Sequence, residues 1–320
     1  MDQIAIVIVN YKTPELVVGC LNSLQAERAA GADFQVFIGD AESQDDSVEI
    51  INAHIKAENM TWALCYDLGQ NGGFAFGNNA ILKDHVLHDP RFSHVYFLNP
   101  DTYIHPNAIA ALRSFLDTHP NVGVVGSRLE NPDGSGRAYG FRAPTPWREF
   151  FRGARFGLFN KWLPSVSMTI ANLKTNAEVD WVTGASFMMP RKVLEQVGLM
   201  DDAYFLYFEE TDLMMRVRNA GYAVWHVAGS RVVHLAGQAT GVRNAHGQDP
   251  EPIARLSPFW LQSRKRFFRR HYGKFQAGLA TVLFLTGDLI YRIHRILRRR
   301  PIENPPHLWR DYLCVDRAPK

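Results

Sequence analysis

Four clusters of polar residues in this chain follow apolar or aromatic runs, and each can do chemistry. Asp40 stands after a short apolar run, with Glu42, Ser43, Asp45 and Asp46 close behind. A carboxylate there can accept hydrogen bonds from a base or a ribose, although Asp and Ser are also good helix starts. The run from Gly69 to Asn79 is a glycine-rich turn entering a helix, whose bare N–H groups suit a diphosphate. It is not the G-x-G-x-x-G pattern, and a tight turn explains it equally well. Asn99-Pro100-Asp101-Thr102 ends a third apolar run. An isolated Asp there can hold Mg²⁺ or Mn²⁺ and leave room for diphosphate oxygens, or it can make an Asx-turn. In the fourth cluster, Glu209, Glu210 and Asp212 follow Phe205-Leu206-Tyr207-Phe208. Three acids favour a helix amino terminus; alternatively one of them, in a pocket walled by Tyr207 and Phe208, is a general base. His234 is a further candidate metal ligand, though a lone His is more often structural.

The elements that must position these residues alternate strand and helix signals. Ile4 to Val9 is a continuous β-branched run, as for a strand buried on both faces. Thr13-Pro14-Glu15 opens a helix through Leu16, Cys20, Leu21 and Leu24. Strands are predicted at Gln35–Gly39, Thr61–Tyr66, His94–Leu98 and Val122–Gly126, and helices over Asp45–Ile55, Gly77–Val86 and from Pro106. This rhythm implies a mostly parallel sheet with ligands at the carboxyl ends of its strands. Residues 128–180 have weak periodicity and read as a long irregular excursion. Structure resumes at Asp180, followed by helices over Arg191–Val197 and Thr211–Ala220 and strands Ala223–Val227 and Arg231–His234.

Composition narrows the class. The length of 320 residues, 46% hydrophobic and 21% charged, suits a globular α/β protein with a sizeable core. Three widely spaced cysteines suggest neither a disulfide framework nor a zinc cluster, so a reducing cytoplasm is expected. No signal-peptide pattern opens the sequence and no apolar stretch has spanning length. The net charge of +3 hides an asymmetry: residues 261–300 carry eleven Lys or Arg against one acid, +10, which leaves −7 elsewhere. Such a segment is expected to meet an anionic surface: Phe259, Trp260, Leu261, Phe267 and Phe268 lie among its cations, which favours lipid, the alternative being that these helices pack on the catalytic domain with their arginines solvated; the acidic remainder argues against nucleic acid.

Taken together and in order, the motifs resemble the family 2 glycosyltransferases of the GT-A fold, in particular the bacterial rhamnosyltransferase-like branch. They are Ile8-Val9-Asn10-Tyr11, Asp40 to Ser47, Asn71-Gly72-Gly73-Phe74-Ala75, Asn99-Pro100-Asp101, Trp181 to Ala185, the acidic run with Asp212-Leu213, and His234. The resemblance covers residues 3–240. It implies a Rossmann-like nucleotide-binding half (1–127), a fused acceptor-binding half (128–250) and C-terminal basic helices (251–320). Asp40 would bind the nucleobase, with Asn10, Asn71 and Gly72 lining the nucleotide site. Asp101 would hold the metal on the donor diphosphate, with His234 as second ligand. Trp181, Gly184, Ala185 and Glu209 would shape the sugar and acceptor site, and the base would be Glu210, with Asp212 the alternative. Two departures stand out: Asn99 replaces the first acid of the family's usual Asp-x-Asp, and Glu210 replaces an Asp.

The expected function is therefore inverting transfer of one sugar, L-rhamnose from dTDP-L-rhamnose, to a glycan or polyprenyl-linked glycan. A dTDP- or UDP-sugar is the donor and Mg²⁺ or Mn²⁺ the cofactor. A peripheral place on the inner face of the cytoplasmic membrane is expected, and a homo-oligomer is left open. The alternatives are a UDP-hexose-dependent transferase, a non-catalytic nucleotide-sugar scaffold, and a processive synthase. Gln262-Ser263-Arg264-Lys265-Arg266-Phe267 only approximates the Gln-x-x-Arg-Trp motif of the last.

Overall fold

The computed structural model describes residues 3–137, 140–155, 164–170, 173–235 and 254–315. Its elements begin with β1 (Gln3–Asn10), α1 (Pro14–Ala29), β2 (Phe34–Asp40), α2 (Ser47–Ala57), β3 (Ala63–Asp67), α3 (Gly73–Ile81), β4 (Phe92–Leu98), β5 (Thr102–Ile104), α4 (Ala108–Thr118) and β6 (Val122–Glu130). They continue with β7 (Gly140–Phe141), α5 (Pro146–Ala154), β8 (Thr169–Ile170), β9 (Ala177–Val179), β10 (Trp181–Val182), β11 (Ser186–Pro190), α6 (Arg191–Val197), α7 (Glu209–Asn219), β12 (Ala223–His234), α8 (Pro258–Leu297) and α9 (Leu308–Leu313). Contacts divide the chain differently from the three sequence segments. One compact unit holds the described residues up to 141, 173–205 and 209–235, and a second holds 142–155, 164–170, 206–208 and 254–315.

The first unit is built on a sheet ordered β3-β2-β1-β4-β11-β6-β12-β5, with β9 also paired to β12. β1, β2, β3 and β4 are mutually parallel, as are β6 and β12; β11, β5 and β9 run antiparallel to their neighbours. Both faces of β1 are covered, which is why its sequence is a continuous apolar run: Ile4, Ile6 and Ile8 join Val17, Leu21 and Leu24 of α1, while Ala5 and Val7 are buried on the other side. Three registers matter for the site. Asn10 lies opposite Asp40, Ser186 opposite Leu98, and His234 opposite Thr102.

Local readings changed at three places. The helix expected over Gly77–Val86 is α3, which starts at Gly73 and gives way to a π turn at Leu82–Val86. Gly72 and Gly73 mask its start in the sequence, but the Asn71 side chain accepts the Gly73 N–H (3.1 Å) and opens the turn. Residues 128–180 are not wholly irregular: β6 continues to Glu130, and α5 begins behind Thr145, whose hydroxyl caps the Arg148 N–H (3.2 Å). Thr145-Pro146 is the same Thr-Pro signal that opens α1. The two strands expected at Ala223–Val227 and Arg231–His234 are one, β12, whose register against β6 shifts between Val227 and Arg231.

The second unit contains the basic C-terminal helices. α8 is a packed helix, broken at Gly273 (φ 80°, ψ 170°), and it lies against α5 so closely that side chains are excluded. A Cβ on Gly153 would stand 2.2 Å from the Phe284 carbonyl oxygen, and one on Gly287 would stand 2.2 Å from that of Phe150. Leu261, Phe267 and Phe268, three of the residues expected to face lipid, are buried. At the centre, Glu149 accepts from Arg152 (2.8 and 2.7 Å) and Arg264 (2.7 Å), and the guanidinium of Arg152 lies over the Phe284 ring at 4.3 Å.

His226 on β12 makes the first unit sensitive to acid. It is fully buried, and burial pushes its imidazole down to about 4; Arg128 adds to the shift and a hydrogen bond with the Leu173 backbone opposes it. Between pH 4 and 6.5 the unfolded chain binds a proton at this residue that the native chain does not, so its contribution to stability falls as pH falls through that window. The loss amounts to about 2–3 kcal/mol by the lower end. Urea melts at neutral pH and near the bottom of the window should show it, and His226→Gln should flatten the dependence; an unchanged slope in the variant would assign the acid sensitivity elsewhere.

Candidate active site

The carboxyl ends of β1 and β2 present Asn10 and Asp40 side by side. Asp40, 2% exposed, accepts from Asn10 Nδ2 (2.6 Å), the Ser43 backbone N–H (2.8 Å) and the Ser43 hydroxyl (2.7 Å). The Lys12 N–H in turn donates to Ser43 Oγ (2.8 Å). Glu42 and Gln44 both adopt positive φ, so the loop after β2 is strained, and this network holds it. Asp40 thus acts on its own loop, and Ser43, given no role by the sequence reading, is its main partner.

The glycine-rich turn is fixed by backbone contact. Gly73 has φ +86°, and a Cβ there would lie 1.9 Å from the Phe205 carbonyl oxygen, which accepts the Phe74 N–H (3.0 Å). Asn79 of α3 bonds the main chain of Met200 in both directions (2.8 and 3.2 Å) and the Asp202 side chain. Asn71 and Gly72 therefore sit on a turn tied to the segment that leads into α7.

Asn99 and Asp101 follow β4. The antiparallel pairing of β5 and β12 brings His234 Nε2 to 3.2 Å from Asp101 Oδ1, and the Leu235 N–H donates to the Asp101 carbonyl (2.9 Å). Asp101 is 1% exposed. The Asn99 Oδ1 is a buried oxygen with no hydrogen-bond partner, and the Asp101 Oδ1 is buried with the His234 imidazole beside it, an arrangement that favours something electropositive between them. A hard divalent cation fits two such oxygens and an imidazole. Among the described residues no group of three His, Cys, Asp or Glu side chains could hold a metal by itself.

Glu210, in the first turn of α7, faces the turn after β10. Its carboxylate accepts backbone N–H bonds from Glu210, Thr211 and Gly184, yet burial outweighs them and raises its proton affinity above the usual carboxylate range. Oε2 is buried and has no hydrogen-bond partner. Asp212 differs: it is fully buried and paired to Arg216 (2.9 Å), which also donates to the carbonyls of Val197, Gly198 and Leu199. It braces α7 against the end of α6. Glu209 is buried at the helix start. Phe208, expected with Tyr207 to wall the Glu210 pocket, belongs to the second unit, its ring 5.4 Å from Phe267 and 5.7 Å from Trp260. Tyr207 and Phe208 both hold positive φ immediately before α7.

Of the remaining expected residues, Ala185 is buried and its carbonyl accepts the Asn99 N–H (2.9 Å), which links the Asn99-Pro100-Asp101 segment to the Gly184 turn. Trp181 stacks on Phe141 at 4.2 Å and is half-buried.

The mixed sheet with its parallel β1–β4 core is that of the GT-A fold, and solved structures bear the fold out. One is a Pyrobaculum calidifontis mannosyltransferase in complex with GDP-mannose and Mn²⁺ (TM-score 0.55, 13% identity, 98% of this chain and 85% of that one). Another is S. aureus TarS in complex with UDP-GlcNAc (TM-score 0.55, 15% identity, 98% and 80%). The model of glycosyl transferase family 2 matches residues 5–198, and the chain belongs to that family. Curated relatives agree with the rhamnosyltransferase-like branch. One is an N-acetylglucosaminyl-diphospho-decaprenol L-rhamnosyltransferase of Mycobacterium tuberculosis, 27% identical over 209 residues, which are 64% of each chain. The match thus spans under two thirds of that relative's length. A low-salt glycan biosynthesis hexosyltransferase of Haloferax volcanii is 27% identical over 308 residues, 95% of this chain and 87% of that one.

Proposed function

We propose that this glycosyltransferase moves L-rhamnose from dTDP-L-rhamnose to a hydroxyl of a polyprenyl-linked glycan, with inversion, at the inner face of the cytoplasmic membrane. The observation that carries the reading is the cluster of the unsatisfied buried Asn99 Oδ1, the buried Asp101 carboxylate and the His234 imidazole 3.2 Å from it, together with the raised carboxylate of Glu210. Glu210 takes the acceptor proton as the acceptor oxygen bonds to the anomeric carbon; the bond to the donor diphosphate breaks and its electron pair leaves on the diphosphate oxygen. Asp101 and His234 would hold Mg²⁺ or Mn²⁺, which supplies Lewis-acid neutralisation of that leaving charge. The Gly184 and Thr211 N–H groups orient Glu210, and burial keeps its proton affinity high enough for the transfer. Asn71 and the turn at Gly72 line the diphosphate, and the Asp40-braced loop lines the base.

The relative acting on a diphospho-decaprenol acceptor supports the lipid-linked acceptor and the L-rhamnosyl donor. The longer match to a hexosyltransferase favours a second reading, transfer of a UDP-hexose by the same residues. No described helix is long and apolar enough to cross a membrane, so membrane contact would be peripheral. Incubation with a panel of nucleotide sugars and a polyprenyl-linked acceptor tests the reading. The expected product carries the anomeric configuration opposite to the donor's and forms fastest from dTDP-L-rhamnose. Faster transfer from a UDP-hexose would select the second reading, and retained configuration would remove Glu210 as a base acting in a single displacement.

A further inference from the structure

Gly273 divides α8 into halves that treat their apolar residues oppositely. Before the break, Leu261, Phe267 and Phe268 are buried. After it, Ala277, Ala280, Phe284 and Gly287 are buried, and Gly287 lies against the main chain of α5. The other side of this half repeats with alternating steps of four and three residues: Phe275, Leu279, Val282, Thr286, Leu289, Ile293 and Ile296. That spacing makes one stripe along the helix. Phe275 (80%), Val282 (59%), Leu289 (45%), Ile293 (47%) and Ile296 (63%) are exposed on it. From Phe275 to Tyr291, about 25 Å of helix, the only charged residue is Asp288, which is buried and bonded to Arg292, Asn304 and Trp309. Exposed cations stand at both ends, Lys274 before the stripe and Arg298, Arg299 and Arg300 after it.

We infer that this stripe is the surface by which the protein lies on an anionic bilayer, its apolar side chains in the acyl boundary and its terminal cations on the headgroups. The inference rests on the peripheral membrane contact of the proposed function and assigns that contact a face. A second copy of the chain is the rival occupant, because a four-three apolar repeat is also that of a coiled coil. Charge decides against it. Two parallel copies would set Arg298, Arg299 and Arg300 against the same three residues, and two antiparallel copies would set them against Lys274. Glu303, the acid nearest these arginines in sequence, is already paired with Arg295. The positions that would flank such a seam and carry matched charges are Leu283, Ile290 and Leu297. A bilayer surface accepts the wide apolar face these residues make, and anionic headgroups neutralise the arginines.

The test is flotation of the full chain with phosphatidylcholine vesicles that contain or lack phosphatidylglycerol, at low and high salt. Binding is expected on the phosphatidylglycerol vesicles and should weaken as salt is added. The double variant Leu289→Ser, Ile296→Ser is expected to bind them about tenfold or more weakly. The triple variant Arg298→Gln, Arg299→Gln, Arg300→Gln is expected to lose the preference for the anionic vesicles. All five side chains are exposed, so both variants should melt where the unchanged protein does. Binding that ignores both sets of substitutions would overturn this surface and leave the peripheral contact in place. No flotation of the unchanged protein would overturn both, while transfer to an acceptor with a short, water-soluble prenyl chain reads the proposed reaction separately. A dimer in light scattering that Leu289→Ser, Ile296→Ser dissociates would overturn the proposal in favour of a second copy.

Discussion

Glu210→Gln is expected to bind donor normally and to lose about 10²-fold or more in kcat. The substitution keeps the size of the side chain but ends proton acceptance at Oε2, the buried oxygen that no protein group satisfies. The wild-type pH profile carries a second signature. The base works only when ionised, and burial raises its proton affinity, so activity should fall with acid at a pH above the ordinary carboxylate value of 4.5. That limb should be missing from the residual activity of the variant. Asp212→Asn is the informative comparison. Asp212 holds Arg216, and Arg216 holds three consecutive carbonyls at the end of α6, so its loss should appear chiefly as lower stability. A normal kcat in Glu210→Gln with a collapsed kcat in a folded Asp212→Asn would move the base by two residues.

Asp101→Ala is expected to lower kcat by about 10²–10³-fold, and chelation of divalent cations should abolish turnover in the wild type. The site has little redundancy, since Asn99 is neutral and His234 is the other candidate ligand. His234→Ala should therefore weaken metal dependence without changing the acid limb set by Glu210. Full activity in excess EDTA would leave Asp101 as a turn residue.

The site was more legible in the sequence than the architecture around it. Residues at strand ends announce themselves, because an Asp or Asn after a buried apolar run needs a reason; Asn10, Asp40, Asn99 and Asp101 were visible that way. Long-range partners were not. Nothing in local spacing says that Arg216 neutralises Asp212, that Ser43 occupies Asp40, or that Gly73 meets the Phe205 carbonyl. The α/β rhythm gave the parallel strands, while the antiparallel insertion of β11 between β4 and β6 carries no sequence signal of its own. The packing of 254–315 was the least legible part. Its aromatic and basic alternation says nothing of long-range partners: Phe267 and Phe268 are buried, and Arg264 bonds Glu149 of α5 and lies over the Tyr312 ring of α9.

The central claim is that a nucleotide sugar is held through a cation at Asp101, and a thermal-shift titration with dTDP-L-rhamnose tests it most directly. With Mn²⁺ present, a donor at 100 times its Kd should stabilise the wild type by about 2.7 kcal/mol. The shift should shrink sharply in excess EDTA and in Asp101→Ala. An equal shift with and without metal, unchanged by Asp101→Ala, would contradict the account.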